Sequence, residues 1–146
     1  MKMSFITDLK KDINSSLGYT EEVVKLSALK LFYAIVGKTP VDTGHLAYNW
    51  QLSIDKPKEQ EIKGVDKDKH ITIRKAESSI GKYSIKKTKQ IWITNCVEYA
   101  YDIEYKGKSR LKAPAGMVRV SLREWNFIMK NSTTEINRGT GATREL

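Results

Sequence analysis

The sequence predicts an α+β fold: a small antiparallel sheet with an N-terminal and a C-terminal helix packed on it, and a long basic hairpin loop or arm. Three observations predict it. "VVKLSALKLFYAIV", Val23 to Val36, spaces its apolar residues as a helix does. "YNWQLSI" and "IWITNCV" have the length and alternation of strands. The strand patterns sit in the middle of the chain, with helical patterns at both ends.

Taken in order, Phe5, Leu9, Ile13 and Leu17 recur every four residues and predict a short amphipathic helix that Gly18 ends. A second helix follows, with Thr20 as N-cap and Glu21 and Glu22 in the first turn, where the helix dipole favours anions. It is so apolar that burial on more than one side is expected. Gly37 is its natural C-cap, and Pro40 prevents continuation. From Tyr48 to Ile54, Tyr48, Trp50, Leu52 and Ile54 alternate with Asn49, Gln51 and Ser53, the pattern of a half-buried strand.

The charged stretch from Asp55 to His70 reads as a hairpin loop or mobile arm, part of a basic region at about 56–90. "ITIR", Ile71 to Arg74, is a short strand candidate, and another is expected around Tyr83 to Ile85. Ile91 to Val97 is the second clear strand. A helix is predicted from about Pro114 to Lys130, with Val118, Leu122, Trp125 and Met129 as its apolar stripe. One domain over 1–130 is expected, with a flexible tail over 131–146.

The 146 residues contain no apolar run long enough to span a bilayer. The first residues lack the apolar core of a signal peptide, so retention in a cytoplasm is expected. Cys96 is the single cysteine, which excludes an internal disulfide and a cysteine-rich zinc site; a small strand residue is its expected role. The formal charge is +9, which favours polyanionic neighbours. Eleven basic residues against five acidic ones lie between Lys56 and Lys89, so the excess is central.

Asp42-Thr43-Gly44 matches the tripeptide of retroviral-type aspartic proteases, whose chemistry needs two aspartates sharing a proton. Here a helix, not an apolar strand, precedes it. His45-Leu46 follow, and the late apolar-apolar-Gly strand is missing. The structural reading is stronger. Pro40 stops the helix, Asp42 caps the turn by accepting backbone N–H bonds, and Gly44 permits a tight helix-to-strand corner. His45 and His70 are the only histidines and have no spaced acidic partners, so no metal site is expected. No Gly-rich phosphate loop precedes a helix, and neither a cofactor nor a catalytic residue is expected. The lysine-rich middle lacks the interleaved aromatics of a single-strand binder and any sequence-reading motif.

Two blocks matter together. "TPVDTGHLAYNWQLSI" is a helix stop, an Asp-Thr-Gly corner and a strand. "ITNCVEYAYDIEYKGKSRLKAPAGMVRVSL" is a strand, a Tyr-Ala turn, a Glu-Tyr corner, an Ala-Pro-Ala-Gly-Met linker and a helix. The pair resembles the neck or tail-completion proteins of long-tailed, lambda-like bacteriophages. The positions that match are Pro40, Val41, Asp42, Thr43, Gly44 and Leu46, then Asn95, Tyr99, Ala100, Glu104, Tyr105 and Gly107, then Ala113, Pro114 and Met117. Ala47-Tyr48 stand where the family often has an arginine, and Lys106 interrupts the Tyr-Gly corner.

The resemblance implies a non-enzymatic virion protein at the head–tail junction, assembled in the host cytoplasm. It would form a ring around the DNA channel, with six copies favoured and twelve possible, between the head-closure ring and the tail-terminator ring. A neighbouring connector subunit is the runner-up, and a free-standing nonspecific DNA-binding protein is the alternative outside that class. Tyr99, Glu104, Tyr105 and Pro114 are candidate subunit-interface residues, since tyrosine suits interfaces that are apolar on one edge and wet on the other. Lys82, Lys86, Lys87 and Lys89 are candidates for nonspecific contact with double-stranded DNA in the channel, or for docking on an acidic ring.

Overall fold

The computed structural model describes residues 2–109 and 112–139. Its elements, in order, are α1 (Lys2–Gly37), α2 (His45–Tyr48), β1 (Gln51–Ile54), α3 (His70–Ile80), β2 (Ile91–Thr94), α4 (Ala100–Tyr105), α5 (Val118–Leu122) and α6 (Trp125–Gly139). The α+β class is observed. The sheet is a single antiparallel pair, β1 on β2, with Gln51 opposite Thr94 and Ile54 opposite Ile91. The core gathers Phe32, Ile35 and Val36 of α1, Leu46 and Trp50, Leu52 of β1, Ala76 and Ile80 of α3, and Val97, Ala113 and Met117.

The first expectation to fall is the break at Gly18. α1 is one helix of 36 residues. A mid-helix glycine costs only about 1 kcal/mol against alanine, too little by itself to end a helix. Thr20 does not cap a new helix; its hydroxyl donates back to the Ser16 carbonyl at 2.9 Å. The true end is at Gly37. There the Thr39 hydroxyl donates to the Ile35 carbonyl, and the Lys69 ammonium donates to the carbonyls of Gly37 and Thr39. A cation on the last carbonyls is the favourable pairing with the helix dipole. Burial, and then the charge of Lys112, pull the Lys69 ammonium below the usual lysine range.

The strand expected from Tyr48 begins only at Gln51, because His45–Tyr48 closes a helical turn. The Tyr48 amide donates to the Gly44 carbonyl at 3.0 Å and the Trp50 amide to Ala47 at 3.2 Å. β2 likewise stops at Thr94, short of the expected Val97. Cys96 lies beyond the strand, its thiol directed at the Lys58 carbonyl.

The basic arm at 56–90 is not present as an arm. "ITIR" belongs to α3, whose buried residues Thr72, Ala76 and Ile80 are four apart and pack on β1 and α1. Its β-branched residues suggested a strand, but two carboxylates organise a helix start instead. Asp66 accepts the Thr72 amide at 2.7 Å and the Thr72 hydroxyl at 2.8 Å, and Asp68 accepts the His70 amide. Residues around Tyr83 to Ile85 form a turn, not a strand.

The predicted C-terminal helix is two helices, α5 and α6, and Pro114 stands in the turn before them rather than in a first turn. The expected flexible tail over 131–146 is also revised: residues 131–139 continue α6, which packs along α1 with Ser132 fully buried and with Lys30–Glu135 and Lys38–Glu124 ion pairs. Residues 140–146 lie outside the described residues.

Gly44 has φ +91, and a Cβ there would lie 2.7 Å from the backbone of Asp66 and Lys67. Both the left-handed conformation and the close approach require glycine. Gly44→Ala is expected to lower stability by about 2–4 kcal/mol in urea unfolding. A change below about 0.5 kcal/mol would show that the corner relaxes freely.

Candidate functional site

The two sequence blocks meet in space. Pro40, Asp42, Gly44 and Leu46 from the first block and Tyr99 and Ile103 from the second line one groove of about 930 Å³. Lys108, Ser109 and Lys112 line it as well. The Asn95 side-chain amide joins the blocks directly, donating to the Leu46 carbonyl at 2.9 Å while its oxygen accepts the Val97 amide.

The corner is built differently from the expectation in one respect. Asp42 is exposed, and its carboxylate has no hydrogen-bond partner among the described residues. The turn is capped by Thr43, whose hydroxyl oxygen accepts the His45 amide at 3.2 Å. Asp42 therefore offers a free negative charge to the groove. Burial lifts the Tyr99 phenol above its ordinary pKa, and the charges of Glu61 and Asp42 add to that shift.

His45 and Asn49 do what periodicity could not show. Asn49 is completely buried; its amide donates to the His45 and Ile62 carbonyls, each at 3.0 Å, and its oxygen accepts the Ile62 amide at 2.8 Å. It pairs with Ile62 as a strand neighbour would. His45 places Nε2 on the Glu61 carboxylate and Nδ1 on the Gly64 carbonyl. Both partners are acceptors, so both ring nitrogens are best served carrying protons. The hydrogen bond to Glu61, and then that to Gly64, raise the imidazole pKa. Position alone gave no hint of either role: Asn49 occupies a polar slot in an alternating stretch that reads as solvent-facing.

Glu104 is not a surface contact. It is buried in α4, and its carboxylate accepts the backbone amides of Met117, Val118 and Arg119 at 2.5, 2.9 and 2.9 Å. The Arg119 guanidinium adds a bond to the same carboxylate and one to the Glu104 carbonyl. Gly116, at φ +90, is required because a Cβ would lie 2.7 Å from Glu104 Oε1. Burial opposes ionisation of Glu104, but the three amides and Arg119 prevail and hold its pKa below the ordinary range. The Glu-Tyr corner and the Ala-Pro-Ala-Gly-Met linker are thus one internal joint.

The other interface candidates separate. Tyr99 lines the groove, 43% exposed. Tyr105 is 56% exposed but packs against Tyr101 with ring centroids 4.8 Å apart and tilted by 43°, and the Arg119 guanidinium lies 4.8 Å from its ring centroid. Pro114 is exposed and lies outside the groove. Lys82, Lys86, Lys87 and Lys89 are all exposed on the turn after α3; Lys86 reaches Asn14 of α1. Among the described residues no cluster of histidine, cysteine and carboxylate side chains could hold a metal, and no helix is long and apolar enough to cross a membrane. No protein family, no characterised protein and no solved structure matches this chain.

Glu104→Gln keeps one acceptor oxygen but turns the other into an NH2 donor facing buried N–H donors and removes the charge opposite Arg119, so it is expected to lower stability by about 2–4 kcal/mol. Because the folded pKa is depressed, wild-type Glu104 contributes fully above its unfolded pKa of about 4.3, and the contribution fades as pH falls through the folded value. Chemical denaturation from pH 3 to 7 should show a smaller acid dependence in the variant. Equal slopes would remove Glu104 as the acid-sensitive joint.

Asp42→Asn, by contrast, should change stability by less than about 0.5 kcal/mol, whereas Thr43→Ala should cost about 1 kcal/mol. The reverse order in thermal melts would restore the capping role to Asp42. His45 works in the opposite pH direction from Glu104. Its folded pKa is raised, so its hold on residues 61–64 is complete below about pH 6.5 and is lost as pH rises through the folded value. Amide exchange at Ile62 and Gly64 should accelerate above that value more than the intrinsic rate, and His45→Asn should abolish the extra acceleration. A pH response unchanged in the variant would assign the effect elsewhere.

Proposed function

We propose that this chain is a non-enzymatic structural protein of a long-tailed bacteriophage, a neck or tail-completion subunit that forms a ring around the DNA channel between the head-closure and tail-terminator rings. The observation that carries the reading is the convergence of the two resembling blocks on one groove. Asn95 of the second block is spent on joining it to Leu46 of the first, and Glu104 is spent inside the second block on holding the linker before α5. What the joint leaves outward is Pro40, Asp42 and Tyr99, a small apolar and polar surface of the kind that seats a neighbouring subunit.

The charge supports the same reading. The lysines of the turn after α3 stand clear of the groove, so DNA-facing and partner-facing surfaces can differ. A ring lining a conduit gains from a diffuse positive field, and sliding DNA excludes tight base-specific contacts. The exposed lysines also favour the second reading, a free-standing nonspecific DNA-binding protein; that reading leaves the groove without a use. A tail-terminator or head-closure subunit of the same connector would use both surfaces and differs only in position along the axis.

The location is decided by imaging purified virions that carry the tagged protein. A ring of density at the head–tail junction is expected, and absence of the protein from particles overturns the reading. The basic surface has its own test. Replacing Lys82, Lys86, Lys87 and Lys89 with glutamine should leave folding intact and flatten the salt dependence of duplex binding by about 0.9 per lost phosphate contact. Particles that join but eject DNA poorly assign these lysines to the channel; particles that fail to join assign them to docking. Normal joining and ejection would return them to solvent.

A further inference from the structure

The N-terminal half of α1 is exposed on a face that its own sequence makes apolar. Leu9 is 48% and Ile13 51% exposed, and Leu17 is half-buried on the same stripe. Among the described residues the anchors of this half lie on another flank, where Asn14 accepts the Lys86 ammonium and Glu21 accepts the Ile85 amide. Residues 2–13 carry the helix roughly 18 Å past that anchor. A projecting helix of this length is marginal in water without a partner for its apolar side.

Further along the same face of α1 lies a concave counterpart. Val24, Ala28 and Leu31 of α1, Ile93 of β2, and Trp125 and Met129 of α6 line an almost wholly apolar slot of about 230 Å³. The stripe and the slot belong to one rigid helix, so a chain cannot fold its own stripe into its own slot. A second copy can supply it. The surface area agrees: the chain exposes 9961 Å². A compact monomer of 16.7 kDa exposes about 7,600 Å². The excess, roughly 2,300 Å², is more than the about 1,600 Å² that a subunit loses across two standard interfaces.

We propose that the Leu9–Ile13–Leu17 stripe of one copy seats in the α1–β2–α6 slot of the next copy. Such a contact is heterologous, joining two different surfaces, and repeats head to tail until rotation closes it into a ring. The inference rests on the ring reading above and names the contact that builds it. It also sets the exposed lysine turn beside the joining helix, through Lys86 and Asn14.

Sedimentation equilibrium of the full chain tests it. The wild-type protein should self-associate, and Ile13→Asp should weaken association at least tenfold with an unchanged circular dichroism spectrum and melting temperature, while Ile13→Leu retains it. Cross-linking fixes the partner surface. In a Cys96→Ser background, Ile13→Cys protein mixed with Met129→Cys protein should give a mixed disulfide dimer. Cross-links confined to two Ile13→Cys chains would overturn the slot in favour of a two-fold pairing. A wild-type monomer that sediments with anionic phosphatidylglycerol vesicles would overturn the contact in favour of a membrane surface. Oligomers that survive Ile13→Asp would overturn this contact and leave the ring reading standing. Assembly through Ile13 by a protein absent from the virion neck would uphold the contact and remove the location.

Discussion

Two strands of four residues make too little sheet to hold themselves together. The fold depends on fastening the long segment that joins them, and the buried Asn49 amide is the central fastener. It satisfies both backbone groups of Ile62 and its own helix's His45 carbonyl, so a side chain supplies what a third strand would have supplied. Around it, Gly44 admits the Asp66 backbone, His45 grips Glu61 and Gly64, and Asp66 starts α3 through Thr72. The bonds of Asn49 and His45 to residues 61–64, and that of the Asp66 amide to the Gly44 carbonyl, cross from the Asp-Thr-Gly block to the connection. With them in place, α3 covers β1, and α1 and the sheet close over Phe32 and Leu52.

The second half of the molecule uses the same device. Its connections contain little regular structure, and the buried Glu104 carboxylate gathers three amides at the start of α5. Both devices bury polar groups only with their bonds complete, which makes them demanding about geometry. They also respond to pH in opposite senses. Glu104 loosens as its carboxylate is protonated, and His45 loosens as its imidazole loses a proton.

This arrangement divides the chain's polar residues into inner and outer sets. Asn49, Asp66 and Glu104 are spent inside, while Asp42, Tyr99 and the lysines after α3 remain outside. The proposed neck role draws only on the outer set. A subunit whose joints are internally complete can present several separate surfaces: a groove, a basic turn and an amphipathic helix. Ring assembly around a charged cargo asks for that separation, because a contact used for a neighbour cannot also face DNA.

Composition and pattern by themselves determined the α+β class, the existence of both strands, the buried second half of α1 and the Asp-Thr-Gly corner, because each follows from local spacing or from glycine and proline geometry. The two blocks were also legible as a pair. Tertiary structure decided the rest. Gly18 and Thr20 read as a cap pair, but one helix runs through them, with the Thr20 hydroxyl turned back onto the Ser16 carbonyl. "ITIR" reads as a strand from its β-branched residues, but Asp66, Asp68 and the sheet beneath make it a helix. Asn49 and Glu104 read as surface residues, and their burial depends on backbone groups that lie 13 residues further along the chain. A polar side chain's worth is set by whether distant amides and carbonyls arrive to meet it, and nothing in local spacing records that arrival.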